Sequence, residues 1–142
     1  MAIYSIAQRT SATAAASASW EIRTTATDRA MILEVGLSQV TAVAGVYGLG
    51  RPAAIGVTPT SPQTVLAEEP ASPVGTVTVC VAWGTGPTVP ANFFRRVACP
   101  ATIGAGIIWT FPRGLIVPLS FSVVIWIIAT APVCDVWAVL DE

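Results

Sequence analysis

Residues able to do nucleophilic, acid–base or metal chemistry are scarce in this chain. Its 142 residues include no histidine, which removes Ser-His-Asp and Cys-His catalysis together with imidazole metal ligands. Cys80, Cys99 and Cys134 have no C-x-x-C spacing, so they do not predict a zinc site. Buried free thiols are the favoured interpretation, and one disulfide between two of the three stays open.

The acidic residues are also poorly arranged for catalysis. Glu68 and Glu69 are adjacent, whereas a glycosidase needs two carboxylates that face each other across a cleft. A solvated loop explains them better, and Asp135, Asp141 and Glu142 are typical of a solvated chain end rather than a cation site. We therefore expect no catalytic residue, no cofactor and no metal site.

Two further patterns have structural explanations. Residues 47–52, YGLGRP, contain G-x-G without the third glycine or the following helix of a nucleotide site, so the glycines indicate a turn where a Cβ would clash. The aromatic side chains lie at strand spacing, which is typical of a core or an interface. A sugar-stacking surface is the alternative, although the scarcity of Asn and Gln counts against it.

The composition indicates a chain that is covered by something else. Charged residues make up 11% of the chain, with seven Arg, eight Asp plus Glu and no Lys, against about 25% in ordinary domains. Apolar residues make up 54%, so a free monomer is expected to expose apolar patches that protein or lipid must cover. The net charge of −1 argues against a nucleic-acid partner.

The pattern of the chain predicts a single all-β domain over residues 1–142. Short runs rich in Val, Ile, Thr and Trp are bounded by Gly, Pro or Asp, which indicates a sandwich or a barrel. We expect a sandwich of about eight to ten strands. The alanine-rich run 12–18 is the one weakly helical stretch, and the N-terminus lacks the basic and apolar regions of a signal peptide. Residues 51–75 contain five prolines and predict a long extended arm. It lies either across a neighbour or over the domain's own surface.

Residues 114–134, GLIVPLSFSVVIWIIATAPVC, carry no charge and are long enough to raise the question of a membrane span. β-branched residues dominate 123–128, which favours a strand that is apolar on both faces and therefore covered on both sides. Before it, the Pro and Gly of 110–114 predict a hairpin turn between strands 107–111 and 115–119. A small membrane-anchored protein is the alternative.

The chain resembles the small β-sandwich virion proteins that decorate or cement the heads of tailed bacteriophages. The resemblance extends over nearly the whole length, through DRAMILEVGLSQV, GLGRPAAIGVTPTSP, PANFFRRVACPATIGAGIIWTFPRGLIVP and VWAVLDE. It implies a jelly-roll-like fold and trimer formation, and it carries over no functional residue.

These observations predict a non-enzymatic structural protein of the virion, assembled in the host cytoplasm. We expect a homotrimer that braces or decorates a phage capsid and contacts the major capsid protein or another virion protein. A carbohydrate-binding β-sandwich of a tail or fibre is the other alternative. The residues predicted to form the interface are Val124, Ile125, Trp126, Ile127, Pro59, Pro62, Arg95 and Arg96.

Overall fold

The computed structural model describes residues 2–11, 16–130 and 132–142, and this part of the chain contains strands and no helix. In chain order the strands are β1 (Ile3–Arg9), β2 (Ser17–Arg23), β3 (Ala30–Gln39), β4 (Gly45–Gly50), β5 (Val57–Pro59), β6 (Gln63–Thr64), β7 (Leu66–Ala67), β8 (Thr78–Cys80), β9 (Trp83–Thr85), β10 (Arg95–Cys99), β11 (Gly106–Val117), β12 (Ser122–Ala129) and β13 (Cys134–Asp141). The prediction of an all-β sandwich is confirmed.

Two antiparallel sheets form the sandwich. The five-stranded sheet has the order β11-β3-β13-β1-β7, and the six-stranded sheet has the order β10-β4-β12-β2-β8-β6. Apolar side chains from both sheets make one core between them, in which Trp20, Tyr47 and Leu140 are among the largest buried residues. β5 and β9 pair separately as a two-stranded ribbon, here called the outer ribbon.

β12 is apolar on both faces because it is covered on both faces, as its sequence predicts. Ile125 and Ile127 point into the core between the sheets. Val124 and Trp126 lie on the other face of the six-stranded sheet, where Trp83 of the outer ribbon and Phe93 pack over them. The second cover is thus a part of the same chain, where we expected a neighbouring protein.

β11 corrects the prediction of a hairpin at residues 110–114. Residues 106–110 and 115–117 both pair with β3, and the register shifts between Thr110 and Leu115. The Pro-Gly segment therefore forms a bulge within one strand, with Gly114 at a φ of 69°. Residues with turn chemistry also suit a bulge, because both need a locally unpaired backbone and a positive φ.

The proline-rich segment 51–75 packs against the edges of the chain's own sheets. β7 pairs with β1 at one edge of the five-stranded sheet, and β6 pairs with β8 at the same side of the six-stranded sheet. Val65 lies between β6 and β7 and is buried. The segment closes this side of the sandwich.

Two of the segments discussed above include residues outside the described ranges. Residues 12–15 of the alanine-rich run are among them, while Ser17 and Ala18 belong to β2. Residue 131 of the uncharged run is another, and the rest of that run lies mainly in β11 and β12. The described residues include no helix with the length and hydrophobicity needed to span a membrane.

Candidate contact surfaces

The eight residues predicted to form an interface lie in three different places. Val124 to Ile127 are fully buried inside the single chain, so a partner has no access to them. Pro59 is half-buried in the outer ribbon and Pro62 is exposed just after it. Arg95 and Arg96 are exposed on β10, the edge strand of the six-stranded sheet. The structure therefore does not bring the predicted residues together into one surface.

The most chemically organised cluster surrounds Glu21, a carboxylate that sequence analysis did not single out. Glu21 is fully buried on the outer face of the six-stranded sheet. Ser122 Oγ donates to its Oε1 at 2.6 Å, and Trp83 Nε1 donates to its Oε2 at 2.6 Å. Arg23 Nε lies 3.9 Å from Oε2, so the buried charge has both hydrogen bonds and a cation.

The backbone of the segment before β5 also reaches this carboxylate. Gly56 N donates to Glu21 Oε1 at 3.4 Å. A side chain at position 56 would clash with the indole of Trp83, since a Cβ built there lies 2.4 Å from Trp83 Cδ1. Glu21 therefore links the six-stranded sheet to the outer ribbon through both Gly56 and Trp83.

The cluster around Glu21 is suited to holding the structure together and not to catalysis. The thiol of Cys80 lies 3.5 Å from Glu21, and burial together with that carboxylate raises the pKa of Cys80 to about 12. A thiol that keeps its proton is a weak nucleophile. Burial also raises the pKa of the Cys99 and Cys134 thiols. All three cysteines are free and buried, which confirms the favoured interpretation over a disulfide.

The five-stranded sheet differs from the six-stranded one, because the described chain leaves its outer face bare. On that face Leu66, Ile108 and Ile116 are 68%, 53% and 52% exposed. Pairing across the strands places Ile108 beside Gly36 and Ile116 beside Met31, so the apolar positions of β11 and β3 are neighbours. A water-facing antiparallel sheet normally alternates to polar side chains on this side. We name this surface the open face.

Two polar side-chain contacts lie on the open face. Arg9 and Asp135 form a two-pronged ion pair with N–O distances of 2.8 and 2.9 Å, and the Arg9 guanidinium lowers the pKa of the Asp135 carboxyl. The indole nitrogen of Trp137 donates to Glu34 Oε1 at 3.0 Å. Trp137 itself lies flat over Gly36, where a Cβ would be 2.1 Å from its ring.

A second surface runs along the edge formed by β10 and β11. Three guanidinium groups stack on phenyl rings there: Arg51 on Phe94 at 5.2 Å, Arg95 on Phe111 at 5.6 Å, and Arg96 on Phe93 at 5.8 Å. Arg51 also donates to the Ile116 carbonyl at 2.7 Å, and Arg95 to the Phe94 carbonyl at 2.9 Å. We name this surface the arginine edge.

Carboxylates collect at the opposite side and at one end of the five-stranded sheet. Glu68 and Glu69 are exposed directly after β7, as expected for a solvated loop. Asp141 ends β13 and Glu142 follows it. Thr76 N donates to Glu142 Oε1 at 2.6 Å, and the Thr76 hydroxyl lies within hydrogen-bond distance of both Glu142 and Asp28. In the described residues no three His, Cys, Asp or Glu side chains come together as metal ligands.

Comparison of the chain with family models, with curated proteins and with solved structures gives no match.

Sequence reasoning missed the open face and the Glu21 cluster for different reasons. Ile107 with Ile108, and Leu115 with Ile116, are adjacent apolar pairs, and such pairs indicate a strand with two apolar faces. That signal was available for β11 as it was for β12. The burial of Glu21 had no local signal, because its cover comes from residues 56 and 83. Gly48 and Gly50 lie inside β4 and not in a turn, and their missing Cβ atoms leave room for Phe93.

Proposed function

We propose that this chain is a non-enzymatic structural protein of a tailed-phage virion, which braces or decorates the capsid through contacts with its own copies and with the major capsid protein. The observation that carries the proposal is the open face. The chain covers one outer face of its sandwich with its own ribbon, and in the described residues the other face exposes large apolar side chains.

The size of the open face suits a stable protein contact. Five strands of about eight residues, at about 3.4 Å per residue and 4.8 Å between strands, span roughly 650 Å². A standard interface buries about 800 Å² on each partner. On this face Arg9 and Asp135 pair with each other, and Glu34 accepts a hydrogen bond from Trp137, so contact with an apolar partner surface would leave each of these groups with a polar contact.

The strand order supports the virion assignment by analogy of fold. Counted in chain order, the eight strands of five or more residues have the orders 6-3-8-1 and 5-4-7-2 in the two sheets. This is the strand order of a jelly roll, an architecture found in viral capsid proteins as well as in lectin domains. The low charge content fits a permanent assembly, where apolar surface stays hidden after assembly in the host cytoplasm.

The chemistry of the chain supports a role without catalysis. The organised carboxylate, Glu21, is sealed beneath the outer ribbon, and its nearest thiol is protonated at neutral pH. A substrate would have to remove the ribbon to reach either group. The open face exposes apolar side chains, and the arginine edge carries arginines stacked on phenyl rings. Both kinds of surface are suited to protein contact.

A carbohydrate-binding role is the second candidate, and one observation favours it. Trp137 lies flat on the open face with a carboxylate, Glu34, at its edge, and an aromatic ring beside an acid is a common sugar platform. Glycan-array binding that is lost in Trp137→Ala would favour this role over the structural one.

Mass spectrometry of density-purified particles of a phage that encodes the chain tests the structural role. We expect the chain at a fixed ratio to the major capsid protein. Ile108→Lys, on the open face, is expected to lower that ratio at least about tenfold, because it places a charge in an apolar contact. Val74→Lys is the control, since Val74 is 84% exposed in the proline-rich segment. Absence of the wild-type chain from the particles would rule out the proposal.

A further inference from the structure

Most charged side chains of this protein, eleven of fifteen, lack an ionic partner within the chain. All fifteen lie in the described residues, and two ion pairs form among them, Arg9 with Asp135 and Arg23 with Glu21. Five of the seven arginines and six of the eight acids therefore remain without a salt bridge. The unpaired arginines and the unpaired acids are nearly equal in number. Surface charges of both signs are normally interspersed, so their positions matter.

Among the unpaired charges, two groups of opposite sign lie on opposite sides of the sandwich. Arg51, Arg95 and Arg96 lie on the arginine edge, while Glu68 and Glu69 lie beyond β7. β11 and β7 are the two outermost strands of the five-stranded sheet. Four strand spacings of about 4.8 Å put the two groups roughly 19 Å apart. That distance exceeds the Debye length of about 8 Å at physiological salt, so the groups do not neutralise each other within one chain.

The arginine edge is also preorganised for carboxylates. Each of its three guanidinium groups is held against a phenyl ring, which restrains the side chain, and Arg95 and Arg96 are exposed. Arg51 and Arg95 are further fixed by their bonds to backbone carbonyls. Little conformational entropy remains to be lost when such a group binds an acid.

We infer that the arginine edge of one copy binds the Glu68–Glu69 segment of a second copy, in a head-to-tail contact. This inference rests on the proposed structural role and names the surfaces by which copies meet. Arg95 and Arg96 point to opposite faces of the edge strand β10, so the Glu68–Glu69 segment lies along this edge between them. Because the two surfaces differ, the contact is heterologous, and repeated contacts close into a ring when the rotation between copies permits it. The open face is not used and stays available for the capsid.

Charge reversal on each side, followed by reversal on both, tests this contact. We expect Arg95→Glu with Arg96→Glu to weaken self-association at least about tenfold, and Glu68→Arg with Glu69→Arg to do the same. The variant that carries all four substitutions restores the complementarity with inverted sign, and its association is expected within about threefold of wild type. Sedimentation velocity gives the dissociation constants, and circular dichroism verifies that each variant is folded.

A matched control and the salt dependence complete the experiment. The single reversal Arg96→Glu is compared with Arg29→Glu, which changes the net charge by the same amount. Arg29 lies outside the arginine edge, and we expect its reversal to leave association unchanged. Raising the salt from about 50 mM to about 500 mM is expected to weaken the wild-type contact at least about tenfold.

The inference is overturned by a wild-type chain that stays monomeric at low salt, or by a folded quadruple variant that does not regain association. It is also overturned if the arginine reversal abolishes binding of a single-stranded oligonucleotide and leaves self-association intact. Each of these results leaves the virion experiment with Ile108→Lys unaffected, so failure of this contact is distinguishable from failure of the proposed function.

Discussion

The carboxylate of Glu21 accepts a hydrogen bond of 2.6 Å from the indole nitrogen of Trp83, and this bond joins the six-stranded sheet to the outer ribbon. The ribbon in turn covers Val124 and Trp126, the apolar side chains on the outer face of β12. One buried polar contact thus fixes the segment that makes β12 a doubly covered strand. The corresponding face of the five-stranded sheet has no such ribbon over it in the described chain.

Removing this carboxylate is expected to destabilise the protein strongly. Glu21→Ala leaves the buried donors of Ser122 and Trp83 without an acceptor, and we expect the free energy of unfolding to fall by about 3 kcal/mol. Glu34→Ala is the matched control, because it removes the same kind of carboxylate–indole bond from the half-exposed Trp137. Its cost is expected to stay below about 1 kcal/mol. Urea denaturation followed by tryptophan fluorescence measures both, and equal losses would contradict the structural role of Glu21.

The buried thiol of Cys80 predicts a loss of stability in alkali. Its pKa is raised from 9.0 to about 12 in the folded chain, so between these values the unfolded chain ionises while the folded chain keeps the proton. The folded state then binds more protons, and its stability falls as pH rises, by up to about 1.4 kcal/mol per pH unit. Below pH 9 the Cys80 thiol is protonated in both the folded and the unfolded chain, so its stabilising effect is fully present there.

The measurement is a series of denaturation curves between pH 8 and pH 11, each taken for wild type and for Cys80→Ala. Tyr47 and Cys134, whose pKa values are also raised by burial, contribute to both proteins, so the difference between the two series isolates Cys80. A flatter curve is expected for Cys80→Ala. Parallel curves would show that the Cys80 thiol ionises equally in the folded and unfolded chains.

The proline-rich segment is expected to contribute to folding through Val65. This side chain is buried between β6 and β7, and its backbone nitrogen donates to the Val77 carbonyl at 3.1 Å. Val65→Ala removes two methyl groups from a packed site and should cost about 2 kcal/mol. Val74→Ala, in the same segment but exposed, should change stability by less than about 0.5 kcal/mol. Thermal unfolding of both variants decides whether the segment is part of the core.

Strand alternation was informative wherever pairing was regular. In Trp20-Glu21-Ile22-Arg23 apolar and charged residues alternate, which predicts Trp20 and Ile22 on one face and the charged residues on the other. The structure has Trp20 and Ile22 in the core. The sequence did not indicate that Glu21 is also buried, because its donors lie 35, 62 and 101 positions away along the chain. Burial of an outward-facing residue depends on which distant segment folds over it.

Predictions from local sequence were wrong in β3 and β11, because the pairing of these strands is irregular. Alternation along residues 31–37 predicts Met31, Leu33, Val35 and Leu37 on one face of the strand. The register of β13 against β3, however, shifts between Ile32 and Glu34. Ile32 therefore joins Val35 and Leu37 in the core. In β11 the residues of a turn form a bulge instead. Both outcomes depend on the partner strand, which no local pattern specifies.

The sequence by itself determined the all-β class, the places of most long strands, the buried free cysteines and the need for two covers on β12. These features follow from local composition and period, since side-chain type and alternation set strand formation and burial. Only the tertiary structure decided what supplies the second cover. The outer ribbon covers the outer face of the six-stranded sheet and not that of the five-stranded sheet. Which face is covered depends on contacts between residues far apart in sequence. The segment from Val124 to Ile127 is buried within the chain, so the candidate partner surface is instead the open face around Ile108 and Ile116.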